Sequence, residues 1–239
     1  MRPTKFGKWL FCLIALGCWT MSAQNRAPES ETSVVRLHIA SSTSSKTRAV
    51  PSVIWLEPAT GTPALPFAPQ GRYTLLQRNR TFVPHLQVIP VGAIVQFPNA
   101  DPFFHNVFSL FEGKRFDLGL YEAGSTKSVT FSREGVSYIF CNIHPEMSAV
   151  VLSLSTPIYA IADLSNSFTL RNVPPGDYRL HIWVEGVPQS NLEQQTRRVH
   201  LVPGTVDLGQ IAEPLSGSGR MSHTNKFGKS YTPDPQSTY

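Results

Sequence analysis

The side chains best suited to chemistry lie in one short stretch, CNIHPEM, at positions 141–147. Cys141, His144 and Met147 are separated by two residues each, so a thiolate, an imidazole and a thioether can turn inward from a single tight loop. These donors are soft or borderline ligands, which suit a transition metal better than a hard cation. The spacing therefore predicts a metal-binding loop that follows a strand.

A second imidazole is available upstream from His105, in the stretch DPFFHNVFSL. Two histidines, one cysteine and a weakly held methionine are the ligand set of a blue-copper electron-transfer site. Zinc fits less well, because a thioether is not one of its usual ligands. We therefore predict one copper ion per chain, bound by His105, Cys141, His144 and Met147. The competing interpretation is a surface turn around a buried cysteine.

The N-terminus has the pattern of a secretory signal peptide over residues 1–23: three basic residues, an apolar run and a small residue, Ala23, at its end. The apolar run is about half the ~20 residues that a membrane-spanning helix requires. The chain is therefore predicted to be periplasmic or secreted, and Cys141 is then the only cysteine of the mature protein. A weaker alternative takes ALGC as a lipoprotein site, with Cys18 as a lipid anchor.

Charge and composition exclude some classes of partner. Without residues 1–23 the formal charge falls from +5 to +2, and no run of Lys and Arg with interleaved aromatic residues remains. The sequence therefore argues against nucleic-acid binding. No later segment is apolar enough to span a membrane, and we expect a monomer.

Short segments of alternating apolar and polar residues, separated by Pro and Gly, predict an all-β chain. A second block of strands begins near Thr156, and residues 213–239 are polar and rich in Gly, Ser and Pro, which predicts a disordered tail. Phe103 and Phe104 are expected in the core beside His105, with an apolar docking surface as the alternative. Asp101 forms no paired acid–base motif and is expected at the solvated surface.

Residues 99–147, from NADPFFHNVFSL to CNIHPEM, resemble the copper-binding half of a cupredoxin, a plastocyanin- or amicyanin-like blue copper protein. The chain as a whole is more similar to exported bacterial proteins of the methylamine-utilisation or plastocyanin-like type. The resemblance implies a Greek-key cupredoxin β-sandwich over residues 33–155. It also implies that Asn106 hydrogen-bonds the copper loop. A polar residue, Asn142, follows the copper cysteine, and the resemblance implies that a backbone N–H near this point is directed at the sulfur.

The stretch SFTLRNVPPGDYRLHIW resembles carboxypeptidase-regulatory or transthyretin-like domains, which implies a small second β-sandwich over residues 156–212. The leading hypothesis is an exported carrier of single electrons between redox protein partners, not an enzyme. A copper chaperone or store that binds Cu(I) is the alternative. A copper oxidase or a thiol nucleophile is disfavoured, since the chain has no His-x-His pair and His144 lies in the same loop as Cys141.

Overall fold

The structure is a computed structural model that describes residues 31–40, 50–110, 113–212 and 224–231. The predicted signal peptide lies outside these residues, as does most of the predicted tail. In the described part of the chain there are seventeen strands and one five-residue helix, α1 at Gln189–Glu193, so the all-β prediction is confirmed. None of the described helices is long and apolar enough to cross a membrane.

The strands fall into two groups. The first group comprises β3 (Tyr73–Thr74), β4 (Leu76–Arg78), β5 (Thr81–Val83), β6 (Leu86–Pro90), β7 (Ile94–Pro98), β8 (His105–Ser109), β9 (Phe116–Tyr121), β10 (Thr126–Thr130), β11 (Gly135–Cys141) and β12 (Ser148–Leu154). The second comprises β1 (Ser33–Ala40), β2 (Ser52–Pro58), β13 (Tyr159–Ile161), β14 (Ser167–Val173), β15 (Gly176–Val184), β16 (Arg197–Leu201) and β17 (Gly204–Ala212).

The first group forms the first sandwich, with a three-stranded sheet in the order β10-β7-β3 and a five-stranded sheet in the order β6-β12-β11-β8-β9. Phe97, Phe131, Ile139 and Val151 are fully buried in its core. The short hairpin β4-β5 is attached to this sandwich by the parallel bridge between Gln77 and Asn99.

The second group forms the second sandwich, with the sheets β14-β1-β17 and β13-β2-β15-β16 enclosing a separate core. This pairing corrects the predicted domain boundaries of 33–155 and 156–212. Strand β1 lies between β14 and β17, and β2 lies between β13 and β15, so both belong with the later strands. The first sandwich is therefore inserted between β2 and β13. Alternation identifies a strand but does not identify its partner.

Strand β12 belongs to both cores because successive side chains of a strand point to opposite faces. Ala149 and Val151 face the core of the first sandwich, whereas Val150, Leu152 and Leu154 pack into the core of the second. A strand that is covered on both faces is typically apolar at successive positions. The run SAVVLSL is thus the seam between the two sandwiches.

Polar contacts also cross this seam. The indole N–H of Trp183 donates to the Tyr138 hydroxyl at 3.2 Å, and Nε2 of His85 lies 2.7 Å from Oε1 of Glu185. The two sandwiches therefore share apolar and polar contacts over one face of the five-stranded sheet.

Candidate metal centre

The predicted ligands come from neighbouring strand ends of the five-stranded sheet. His105 is the first residue of β8 and Cys141 is the last residue of β11. The two strands are antiparallel, with Cys141 opposite Val107. The first residue of β8 and the last residue of β11 therefore lie at the same end of the sheet. His144 lies three residues beyond Cys141, in the connection between β11 and β12. This connection keeps His144 at the same end of the sheet.

Three donor atoms converge there. Sγ of Cys141 lies 3.6 Å from Nδ1 of His105 and 3.5 Å from Nδ1 of His144, and the two Nδ1 atoms are 3.1 Å apart. His105 and Cys141 have no solvent exposure, and His144 is half-buried. These three residues are the only group of three or more His, Cys, Asp or Glu side chains in the described part of the chain that could hold a metal.

The spacing of the three atoms fits a metal ion. A triangle with sides of 3.1, 3.5 and 3.6 Å has a circumradius of about 2.0 Å, close to the ~2.0 to 2.3 Å of metal bonds to imidazole and thiolate. One ion can therefore contact all three atoms without a large movement of the side chains.

The loop that carries His144 is closed by two backbone hydrogen bonds. Cys141 N–H donates to the carbonyl of Met147 at 3.2 Å, and Met147 N–H donates to the carbonyl of His144 at 3.0 Å. Met147 itself is 1% exposed and packs in the core of the first sandwich. The loop is therefore short, internally bonded and anchored by a buried methionine.

The sulfur of Cys141 is surrounded by backbone donors. Burial raises the pKa of the Cys141 thiol, and hydrogen bonds from the backbone N–H groups of Asn106, Ile143 and His144 oppose that rise. A buried thiolate that accepts several N–H bonds is an arrangement suited to a metal-bound sulfur. The metal-free thiol, in contrast, stays protonated at neutral pH.

His105 is oriented by a carboxylate that the sequence pattern did not connect with the site. Its Nε2 lies 2.9 Å from Oδ2 of Asp101, so the ring donates that proton to Asp101 and turns Nδ1 toward Cys141. Asp101 is 4% exposed, which corrects the expectation of a solvated surface residue. Its carboxylate also accepts the backbone N–H groups of Asn79 at 2.5 Å and Arg80 at 3.0 Å.

His144 is held as a neutral ring. Burial lowers the pKa of His144 to about 4, and the neighbouring His105 ring and the Arg80 guanidinium lower it further. Burial also lowers the pKa of His105, although Asp101 partly offsets it. Both imidazoles are therefore unprotonated at neutral pH, which is the form that binds metal.

Aromatic side chains pack beside the two predicted histidine ligands. The ring of Phe103 contacts both His105 and His144, with centroid distances of 5.3 and 5.4 Å, and the Arg80 guanidinium lies 5.2 Å from the same Phe103 centroid. Phe103 is only partly buried and Phe104 is 51% exposed. The expectation that both are core residues is therefore wrong for Phe104, which belongs to the surface beside the site.

The two asparagines make different contacts. The backbone carbonyl of Asn106 accepts the N–H of Asn142 at 2.9 Å, so these residues connect β8 to the start of the metal loop. The side chain of Asn106 donates to Asp117 at 2.6 Å. The side-chain oxygen of Asn142 accepts the backbone N–H of Lys226 at 3.0 Å, from the C-terminal part of the chain.

The remaining described histidines lie elsewhere. His85 bonds the carbonyl of Ser148 and Glu185, and His38, His181 and His200 have Ser167, Glu57 and Asp177 as hydrogen-bond partners. A cleft of about 1040 Å³ lies between the two sandwiches, lined in part by Trp55, Tyr138 and His181, and none of the four predicted ligands borders it.

No protein-family model matches this chain, and no curated protein matches it. Solved structures similar to this chain include a purple cupredoxin, variants of amicyanin and a copper-containing nitrite reductase. A purple cupredoxin from Nitrosopumilus maritimus is 25% identical over 36% of this chain and 100% of its own, with a TM-score of 0.32. A single-residue variant of amicyanin in its reduced state is 21% identical over 35% of this chain and 83% of its own, with a TM-score of 0.33.

A copper-containing nitrite reductase from Thermus scotoductus SA-01 is 26% identical over 41% of this chain, with a TM-score of 0.33. This chain spans 25% of that enzyme's length. Each of these three similarities covers less than half of the present chain.

Proposed function

We propose that this chain binds one copper ion through His105, Cys141, His144 and Met147 and carries single electrons between redox proteins. The observation that carries the proposal is the convergence of one sulfur and two Nδ1 atoms at 3.1–3.6 Å. Two imidazoles and a thiolate in a trigonal set, with a weak thioether, match the donor chemistry of a blue-copper site. Met147 as the axial ligand and the count of one ion are part of the proposal.

Copper in such a site supplies a reversible one-electron couple. The contribution of the chain is to keep the ligands in place. His105 is fixed by a buried strand and by Asp101, Cys141 by the end of β11 and by three backbone N–H groups, and His144 by a loop with its own hydrogen bonds. Ligands that cannot move far keep the structural cost of electron transfer small.

The environment of Cys141 favours a metal ligand over a nucleophile. Reactive cysteines are usually accessible and have a lowered pKa, whereas Cys141 has no solvent exposure and burial raises the pKa of its thiol. The nearest imidazole nitrogens lie 3.5 and 3.6 Å from the sulfur, and both belong to proposed ligands. We therefore propose an electron carrier and not an enzyme.

An apolar rim beside His144 is a suitable place for a redox partner to dock. Phe104 is 51% exposed and Ile143 is 44% exposed, and Pro145 lies at the surface in the same loop. His144 is the proposed ligand with the greatest exposure, so it offers the shortest route for an electron to this rim. Exposed apolar groups around one site are typical of interaction surfaces.

We also propose that the chain acts after export, as a periplasmic or secreted protein. The support is the signal-peptide pattern of residues 1–23 and the single cysteine that remains beyond it. The relation of the second sandwich to transthyretin-like domains stays a prediction.

The experiment is to load the metal-free protein with Cu(II) and record its visible spectrum. An intense thiolate-to-copper band is expected at one ion per chain, and Cys141→Ser should abolish it. His144→Gln should weaken copper binding, whereas His200→Gln, a histidine paired with Asp177 in the second sandwich, should not. A colourless copper complex of the intact protein contradicts the proposal. Loss of the metal during repeated reduction and oxidation favours a copper chaperone or store.

A further inference from the structure

We propose that residues 224–231, here called the C-terminal segment, are part of the metal centre, with Tyr231 and Lys226 as positioning residues for Cys141. The inference rests on the proposed function only in taking Cys141 as a metal ligand. The sequence predicted disorder for this region, yet the segment contacts the first sandwich next to that residue. It contacts the site from 84 to 90 positions farther along the chain.

The C-terminal segment forms hydrogen bonds to Cys141 and Asn142, where β11 ends. The Tyr231 hydroxyl donates to the carbonyl of Cys141 at 3.0 Å, and the Lys226 N–H donates to Oδ1 of Asn142 at 3.0 Å. On the opposite side, Asn142 N–H donates to the carbonyl of Asn106 at 2.9 Å. The Cys141–Asn142 peptide is therefore held between β8 and the C-terminal segment.

A second connection reaches the strand that carries His105. Nζ of Lys226 lies 2.8 Å from Oδ2 of Asp117, and the other oxygen of Asp117 accepts a hydrogen bond from the Asn106 side chain at 2.6 Å. Hydrogen bonds from Lys226, Asn106 and Gly119 hold the pKa of Asp117 below its usual value, although burial acts in the opposite direction. Lys226 therefore bonds directly to Asn142, which follows Cys141, and is linked through Asp117 to Asn106, which follows His105.

The segment has a shape that suits this contact. Oδ1 of Asn225 accepts the N–H groups of Phe227 and Lys229, both at 3.0 Å, and the Asn225 N–H donates to the Lys229 carbonyl at 2.8 Å. Gly228 supplies the positive φ of +74° that the turn requires. An internally bonded turn loses less conformational freedom on docking than an unstructured chain does, so two hydrogen bonds and one ion pair can hold it.

The consequence for the metal centre is mechanical. Cys141 is the last residue of its strand, and beyond it the chain turns into the loop of His144 and Met147. A donor fixed on the Cys141 carbonyl restricts rotation of that peptide, which in turn restricts the direction of Sγ. Groups that orient a metal ligand in this way commonly affect metal affinity when they are removed.

The first test compares Tyr231→Phe with Tyr178→Phe in the full mature chain. Tyr178 is a matched control, because its hydroxyl also donates to a backbone carbonyl, that of Pro174 at 2.8 Å, in the second sandwich. Tyr231→Phe should weaken Cu(II) and Co(II) affinity by about tenfold, the lower end of the range for groups that support metal ligands. It should also shift the thiolate-to-metal band. Equal affinity and equal spectra in the two variants overturn the proposal.

A second pair separates the ion pair from the loss of charge. Lys226→Met should weaken metal binding, and the difference from wild type should shrink at high salt because the Lys226–Asp117 pair is partly exposed. Lys229→Met removes the same charge from the same segment and should leave metal affinity unchanged. If both lysine variants lower affinity equally, general electrostatics explains the effect and the positioning role of Lys226 is refuted.

Amide hydrogen exchange of the metal-free protein tests this inference independently of copper binding. Tyr231→Phe should speed exchange at the N–H groups of Asn142 and Lys226, and Tyr178→Phe should not. If the wild type gave no copper band, the proposed function would fail while exchange still tested the docking of the segment. Exchange rates at Asn142 and Lys226 that do not change in Tyr231→Phe refute the inference in either case.

Discussion

The carboxylate of Asp101 accepts the Nε2 proton of His105 across 2.9 Å, in a pocket where both side chains are buried. Asn79 and Arg80 form the two-residue turn between β4 and β5, with φ values of +53° and +54°. Their N–H groups both point at Asp101 and form an anion-binding nest. Burial raises the pKa of Asp101, but the bonds from Arg80, His105 and Asn79 more than offset this and keep the group ionised.

Asp101→Asn should lower copper affinity by about 10- to 100-fold, the usual effect of removing a carboxylate that supports a ligand histidine. The amide keeps the shape of the side chain but loses the charge that fixes the His105 tautomer. Competition titration against a copper chelator measures the change. Asp163→Asn is the control, since Asp163 accepts bonds from Ser165 and Ser167 in a loop of the second sandwich. Similar losses in both variants would contradict a role for Asp101 at the metal.

Met147 can be tested with two substitutions that should act in opposite directions. Met147→Gln offers a stronger oxygen donor, which favours Cu(II) and should lower the reduction potential, whereas Met147→Leu removes the donor and should raise it. Both replacements are close in volume to methionine, so neither leaves a large cavity in the buried core. Voltammetry of the two copper-loaded variants gives the result. Potentials that shift in the same direction would mean that Met147 does not act as a ligand.

The sequence predicts the three converging ligands because their identity and spacing carry the chemistry. His105, Cys141 and His144 were found from residue type, and the structure brings their donor atoms together. Asp101 was missed because its role depends on the Asn79–Arg80 turn, which lies more than twenty positions upstream. No local pattern shows that two backbone N–H groups from a distant hairpin will keep a carboxylate buried.

The division into sandwiches was mispredicted for a related reason. In β15, alternation places Tyr178, Leu180, Ile182 and Val184 on one face of the strand, and all four are buried. Trp183 is also buried, although it lies on the opposite face of β15. That face packs toward the first sandwich, where the Trp183 indole N–H donates to the Tyr138 hydroxyl. Burial of both faces depends on which sheets stack together, and alternation along one strand does not reveal this.

Because β1 and β2 belong to the second sandwich, the fragment expected to fold by itself is shorter than the predicted domain of residues 33–155. Residues 70–156 contain the whole first sandwich, but Val150 and Leu152 lose their cover from the second. We expect this fragment to self-associate, and Val150→Thr with Leu152→Thr to make it monomeric and able to bind copper. Light scattering after size exclusion and a copper titration measure both properties.

A fragment of residues 30–156 is the comparison, because it keeps β1 and β2 without their partner strands and should aggregate through unpaired edges. If the substituted 70–156 fragment is monomeric but does not bind copper, the second sandwich or the C-terminal segment is needed to form the metal site.

Copper binding at neutral pH should release one proton per ion. Burial raises the pKa of the Cys141 thiol, so it is protonated before the metal binds, whereas burial lowers the pKa of both His105 and His144. Only the thiol then gives up a proton. Calorimetry in two buffers with different ionisation enthalpies measures the number, and Cys141→Ser should reduce it to nearly zero. Release of two protons would show that a ligand histidine is charged in the metal-free protein.

The stability of the metal-free protein should fall as the pH is lowered from about 6.5 to about 4. The pKa of His144 is about 4 in the folded protein, mainly because of burial, and 6.5 is its ordinary value. Between these values the unfolded chain binds a proton that the folded chain does not, so acid favours unfolding. Above pH 6.5 neither state is protonated, and this contribution is constant.

The loss should be about 1 to 2 kcal/mol for His144, less than the full pKa difference implies because the ring is only half-buried and solvent screens its charge. Burial also lowers the pKa of His105, which adds a loss of the same sign. Urea unfolding of the metal-free protein at about pH 7.5 and about pH 5 measures the change. His144→Gln should reduce the loss between the two pH values, because the amide cannot take up a proton. His200→Gln, which replaces a surface histidine, should retain the wild-type dependence; the same slope in both variants would mean that His144 is not held as a neutral ring.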